Sequence, residues 1–271
     1  MNMPDLFQQA SQCLAAADPD AKLALTREVR TAWLERRLTL DRSGMPDPIG
    51  DPGRPVQPEL VNPSQVKQRR LTSETGRAAL LHALAHIEFN AINLGWDAVY
   101  RFRDMPEAFY DDWSRVAKEE AGHFDLLRGR LRDLGHEYGD FPAHDGLWHM
   151  ARRTAQDSLV RMALVPRVLE ARGLDVTPGM IRRLRDIGDS ETVEVLEVIL
   201  RDEVGHVEIG TRWYRHLCRQ RGLDPVETFF RLLDEYAPGR IRRPLNTEAR
   251  QRAGFDAEEL ELLQHMAAGD S

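Results

Sequence analysis

Two four-residue runs, Glu120-Ala121-Gly122-His123 and Glu203-Val204-Gly205-His206, share the pattern Glu-x-x-His. On a helix, side chains three residues apart project side by side, so a carboxylate and an imidazole at that spacing can reach one ion. A lone glutamate precedes each pair, Glu88 by 32 residues and Glu170 by 33. The chain therefore repeats one unit, a glutamate followed at near-constant distance by Glu-x-x-His. Two antiparallel helix pairs packed face to face would supply four carboxylates and two imidazoles, the ligand set of a carboxylate-bridged dinuclear site in a bundle core. Hard oxygen donors with one imidazole per metal suit iron first, or manganese or a mixed Mn/Fe pair, better than copper. Zinc stays compatible. A single Glu-x-x-His pair reads as a solvated glutamate near a hydrogen-bonded histidine. Six such residues on four apolar helix faces do not, because an uncompensated buried carboxylate costs several kcal/mol.

The elements that must position these groups are helices. Alternating runs of Val, Ile and Thr bounded by turn residues are nearly absent. Residues 4–37 read as two short amphipathic helices broken at Asp18-Pro19-Asp20. Residues 44–63 hold six prolines (Pro46, Pro48, Pro52, Pro55, Pro58 and Pro63), which predicts an extended arm on a helical body or a linker. Four long helices are predicted next. The first starts near Ser73, a capping residue, and runs to about 103; the second covers about 106–134. The third covers about 147–171 and stops at Gly173. The fourth opens at Asp189 or Ser190 and ends at Gly222, with a short helix over 178–187 ahead of it. Asp224-Pro225 opens a further helix toward Tyr236, and a last one passes through Leu260 to His265. Each long helix sets its carboxylate in an apolar stripe: Leu81, Leu84, Ala91, Ile92 and Gly95 surround Glu88; Trp113, Ala117, Phe124 and Leu127 flank Glu120 and His123. Leu159, Ala163 and Pro166 lead to Glu170, and Leu196, Ile199 and Leu200 lead to Glu203 and His206. The expected fold is all-α: a four-helix bundle over 71–222, N-terminal helices and a Pro-rich arm over 1–70 packed on it, and C-terminal helices with a basic loop over 223–271.

Composition narrows the function classes. The chain has 271 residues, 42% hydrophobic and 30% charged, with 37 Lys+Arg against 44 Asp+Glu and a net charge of −7. That balance argues against a broad grip on nucleic acid or anionic membrane, while leaving a local contact to tRNA open. Cys13 and Cys218 are too few for a Cys-rich zinc site or a disulfide framework, so a reducing cytoplasm is expected. No apolar run approaches the roughly 20 residues that span a bilayer, and the first residues lack the features of a signal peptide.

Other residues carry weaker expectations. His86 is two residues from Glu88 and must point elsewhere than into the ligand stripe, so it reads as an outer-sphere or structural group together with His82. Asp202 is a candidate to hydrogen-bond a ligand histidine, and Glu119 and Glu197 are further acidic neighbours. Tyr100, Tyr110 and Tyr214 could carry oxidising equivalents if close to metals, although packing is their ordinary role. Pro166, four residues before Glu170, should open the third helix locally. Arg240, Arg242 and Arg243 form the most concentrated basic strip, suited to a substrate phosphate or carboxylate or to an ordinary solvated loop.

With these residues identified, the chain resembles the ferritin-like di-iron carboxylate superfamily. The segments His82-Ala83-Leu84-Ala85-His86-Ile87-Glu88-Phe89-Asn90-Ala91-Ile92 and Lys118-Glu119-Glu120-Ala121-Gly122-His123-Phe124 resemble an uncharacterised bacterial ferritin-like branch of it. The likeness extends to Arg54-Pro55 and Pro58-Glu59-Leu60, and to the tail from Arg243-Pro244-Leu245-Asn246 to Ala253-Gly254-Phe255. By resemblance the metal ligands fall on Glu88, Glu120, His123, Glu170, Glu203 and His206. The resemblance implies two metal ions, O2 or peroxide as a reactant, a small organic substrate and an external electron donor. The leading expectation is an O2-activating oxygenase or oxidase. Iron storage or peroxide detoxification is the alternative, and a non-enzymatic metal-stabilised bundle is the third. A monomer or dimer is expected over a cage. Fold and site transfer with such a resemblance; substrate does not.

Overall fold

A computed structural model describes residues 3–67 and 69–269. Every regular element among them is helical; β pairing is limited to two isolated bridges, Asp5 with Thr39 and Leu60 with Ala143. The chain folds into two compact units divided between His149 and Met150.

In the first unit, α1 (Leu6–Ala15) and α2 (Pro19–Leu34) precede the extended arm, and α3 (Glu74–Arg101) and α4 (Glu107–Asp133) follow it. Asp5, Asp18 and Ser73 each cap a helix by accepting from a backbone amide in its first turn, at 3.0, 2.8 and 3.1 Å. The short connection between α3 and α4 makes them antiparallel neighbours. Gly95 lets them approach closely, since a Cβ there would lie 2.9 Å from the Ala117 Cβ. The Phe89 and Phe124 rings, 5.4 Å apart, pack across the pair. The arm is extended and lies on this body: Gly53 N donates to Leu14 O (2.7 Å), and the backbone of residues 59–61 pairs with Ala143. Lys22 is fully buried and ties α1 and α2 to α3, its Nζ donating to Cys13 O, Leu14 O and Asn93 Oδ1 at 2.7, 3.2 and 2.6 Å. It thereby satisfies carbonyls at the C-terminal end of α1, where positive charge is favoured.

After α5 (Gly146–Arg153), the second unit contains α6 (Ser158–Leu164), a π-helical turn (Val165–Glu170), α7 (Ala171–Asp186), α8 (Ser190–Arg221), α9 (Pro225–Tyr236), α10 (Thr247–Arg252) and α11 (Ala257–Gly269). The predicted third long helix is therefore corrected twice. It is interrupted at 154–157, because Asp157 caps a new helix by accepting from Leu159 N at 2.8 Å. It also does not stop at Gly173, and the short helix predicted over 178–187 is its continuation. Pro178 is tolerated inside α7 for a specific reason. Its missing N–H would have bonded the Leu174 carbonyl, and Asn246 Nδ2 donates to that carbonyl instead, at 3.1 Å. The expected opening at Pro166 takes the form of the π turn, where the Ala171 amide bonds the Pro166 carbonyl. α8 ends at Gly222, whose φ of +66° is the left-handed conformation glycine supplies cheaply. An Arg221–Asp157 fork (2.7 and 2.8 Å) joins the end of α8 to the start of α6 and holds the two antiparallel. A second fork, Arg250 to Asp175 at 3.0 and 2.7 Å and buried at both ends, docks α10 on α7.

Candidate metal centre

Each unit carries half of the predicted ligand set. In the first, Glu88 sits on α3 and Glu120 and His123 on α4, all buried. His123 Nδ1 lies 3.1 Å from Glu120 Oε2 and 3.8 Å from Glu88 Oε2, so one imidazole stands between two carboxylates. The helical spacing delivers the Glu120–His123 contact, and the α3–α4 pairing that Gly95 permits brings in Glu88. Burial is the largest influence on His123 and would push its pKa down. The adjacent Glu120 and Glu88 outweigh it and hold His123 up, at about 11. Two carboxylates in an apolar core thus demand a positive charge among them, which a proton on His123 or a metal cation provides.

In the second unit Glu203 and His206 sit one turn apart on α8, with His206 Nδ1 3.5 Å from Glu203 Oε1. Glu203, His206 and Gly210 are buried on one face of that helix. Glu170, half-buried, closes the π turn and leads into α7. The donors in both units are carboxylate oxygens and imidazole nitrogens. The two thiols are buried elsewhere, Cys13 on α1 and Cys218 near the end of α8. Within each unit the donor set, carboxylate oxygens beside an imidazole, fits a hard or borderline cation.

A family described as Protein of unknown function (DUF455) matches residues 15–261. The chain belongs to this family. The DUF455 chain is also 45% identical over 267 residues to an "Uncharacterized protein" of Haemophilus influenzae, covering 95% of this chain and 93% of that relative. No solved structure matches it.

The remaining predicted residues of this DUF455 member fall in several places. His86 is buried on α3, two residues before Glu88. Its Nδ1 lies 2.8 Å from the Tyr138 hydroxyl, and Asn90 Nδ2 lies 3.1 Å from its Nε2. His82 Nε2 accepts from Gly139 N at 2.9 Å, tying α3 to the loop after α4. Burial holds both histidines down, at about 4. Asp202 lies beside Glu203 and pairs with Arg201 at 2.9 Å. Tyr100, Tyr110 and Tyr214 hydrogen-bond backbone groups of Asp47, Phe102 and Pro225, which is packing chemistry. Arg240, Arg242 and Arg243 are exposed. Their loop is held through its backbone, since Arg172 Nη1 donates to Arg242 O and Pro244 O at 2.8 and 2.9 Å. Sequence reasoning missed Tyr138, which stacks on His82 and meets Phe124 edge-on at 5.0 Å. It also missed the buried Arg167–Glu259 pair. Neither has a periodic signal, because each depends on partners distant in the chain. Among the described residues, no helix is long and apolar enough to cross a membrane.

Proposed function

We propose that this DUF455 protein is a ferritin-like, dinuclear-metal oxidoreductase acting with O2 or peroxide on a small organic substrate. In this reading the metal ligands would be Glu88, Glu120 and His123 of the first unit and Glu170, Glu203 and His206 of the second. One observation carries it. Each unit independently buries a Glu-x-x-His pair whose carboxylate and imidazole approach within 3.1 and 3.5 Å. The helices α3, α4, α6 with its π turn, and α8 would then be the four helices of a bundle over residues 71–222, flanked by 1–70 and 223–271. The donor set suits iron, with manganese or a mixed pair next. When bound, paired metals of this kind supply Lewis acidity and redox equivalents, with an external donor returning the electrons.

The chain's own contribution is position and protection. The 3.6-residue repeat of α4 and α8 keeps each imidazole beside its carboxylate. Apolar neighbours such as Ala117, Ala121 and Phe124 exclude water from the first half-site. Buried free thiols and an acidic net charge fit a reducing cytoplasm and argue against a membrane partner or a broad nucleic-acid contact, with a local contact to tRNA left open.

The test is metal content per chain of the wild type and of Glu120→Ala and His206→Ala. About two iron or manganese ions per chain, lost in both variants, support the reading. A folded protein that takes up neither metal overturns it. Dioxygen consumption by the loaded, reduced protein then separates an oxidoreductase from a metal-stabilised bundle, and many irons per chain in a large assembly would mean storage.

A further inference from the structure

Glu170 differs from the other five candidate ligands in having a π turn beneath it. One extra residue in a helical turn rotates the following side chains by about 100° relative to an α-helix. The direction of the Glu170 carboxylate therefore depends on whatever keeps this turn π-helical. The turn is gripped at two consecutive residues. Pro166 packs against Gly210 of α8 so closely that a Cβ on Gly210 would overlap its ring. Gly210 follows His206 by one turn, so this contact fixes the π turn against the ligand-bearing face of α8.

The second grip is Arg167, which is fully buried. Its guanidinium lies 4.6, 4.1 and 4.5 Å from the ring centroids of Tyr214, Phe229 and Phe255, contributed by α8, α9 and the segment before α11. It forms an ion pair with Glu259 of α11, also fully buried. Glu259 is itself fixed: its Oε2 accepts from Arg215 and from Asp256 N, both at 3.0 Å, and its amide donates to Asp256 Oδ1 at 2.9 Å. A charge taken this far from water is tolerated only with its partner in place, and breaking such a pair leaves an uncompensated charge.

We propose that Arg167 is a positioning residue for Glu170 and that Glu259 of the C-terminal helix locks it, making the C-terminal segment part of the framework of the metal centre. This rests on the dinuclear reading above, with Glu170 as a ligand. Arg167 touches no ligand atom in this account; it acts by holding the turn.

The experiment compares full-length wild type with Arg167→Met, Arg167→Lys, Glu259→Gln and Leu184→Ala, the last a buried residue near the far end of α7. Two quantities are read below the melting temperature of every variant: affinity for Mn(II) or anaerobic Fe(II) by chelator competition, and amide hydrogen exchange over residues 165–171 in metal-free protein. Arg167→Met and Glu259→Gln are expected to weaken metal binding by about 10- to 100-fold. They should also speed exchange at 165–171. Arg167→Lys should recover part of both, and Leu184→Ala should change neither. Wild-type affinity and exchange in Arg167→Met and Glu259→Gln would overturn the inference, as would equal losses in Leu184→Ala. If the wild type itself binds no metal, the dinuclear reading fails, while exchange over 165–171 still decides whether the pair fixes the turn.

Discussion

The two units present the same trio, a lone glutamate and a Glu-x-x-His pair, on scaffolds built differently. In the first, both helices are unbroken: α3 runs 28 residues and α4 runs 27, joined by a short loop. Glu88 reaches His123 because Gly95 lets the backbones close together, and aromatic packing such as Phe89 on Phe124 supports the pair. In the second, the glutamate-bearing segment is interrupted by a cap at Asp157, a π turn at Val165–Glu170 and a proline inside α7. Each interruption is met by a polar contact from later in the chain, Arg221 to Asp157, Glu259 to Arg167 and Asn246 to the Leu174 carbonyl, and the buried Arg250–Asp175 fork adds a fourth. The difference teaches that one pattern of carboxylates and imidazole can be reached by regular helix geometry or by irregular geometry held with charge. The second route ties Glu170 to the C-terminal helices, and the first makes no such demand.

That contrast can be broken most sharply at the buried Asp175–Arg250 fork. Asp175→Ala leaves the Arg250 guanidinium buried without its carboxylate and should destabilise the protein by about 3–5 kcal/mol in urea denaturation. A loss under about 1 kcal/mol would mean that polar contacts do not carry the second unit. Next in size is the close approach in the first unit. Gly95→Ala puts a methyl 2.9 Å from the Ala117 Cβ. The expected cost is about 1–3 kcal/mol by overpacking, with Ala117→Gly added in the same chain recovering part of it.

Lys22 gives the pH test, since it is a fully buried ionisable group that ties α1 and α2 to α3. Burial pushes its pKa down to about 7. Above that value the folded chain has released a proton that the unfolded chain keeps until about 10.5. Stability attributable to Lys22 therefore rises with pH, by about 2 kcal/mol between pH 7 and 9. Lys22→Met should flatten that part of the curve, and identical pH profiles for the two proteins would refute the assignment. The smallest effect is expected at Asn246, where Asn246→Ala removes both the α10 cap and the donor to Leu174 O, at about 1–2 kcal/mol. Pro178→Ala in that background should return part of the loss by restoring the missing amide.

The sequence alone determined the helices with local start and stop chemistry. Asp18-Pro19, Ser73, Asp189, Gly222 and Asp224-Pro225 lie where α2, α3, α8 and α9 begin or end. It also determined the all-helical class and the contacts within Glu120–His123 and Glu203–His206, because a spacing of three on a helix fixes proximity without any other part of the chain. What the tertiary structure decided is whatever depends on distant partners. Gly173 and Pro178 read locally as a stop, yet α7 continues because Asn246, 68 positions beyond Pro178, supplies the donor that proline lacks. Pro166 signals an opening, but its resolution into a π turn depends on Gly210 beneath it and on Glu259 pairing with Arg167. Local sequence sets the cost of an irregular backbone, and only contacts brought in from elsewhere can meet that cost.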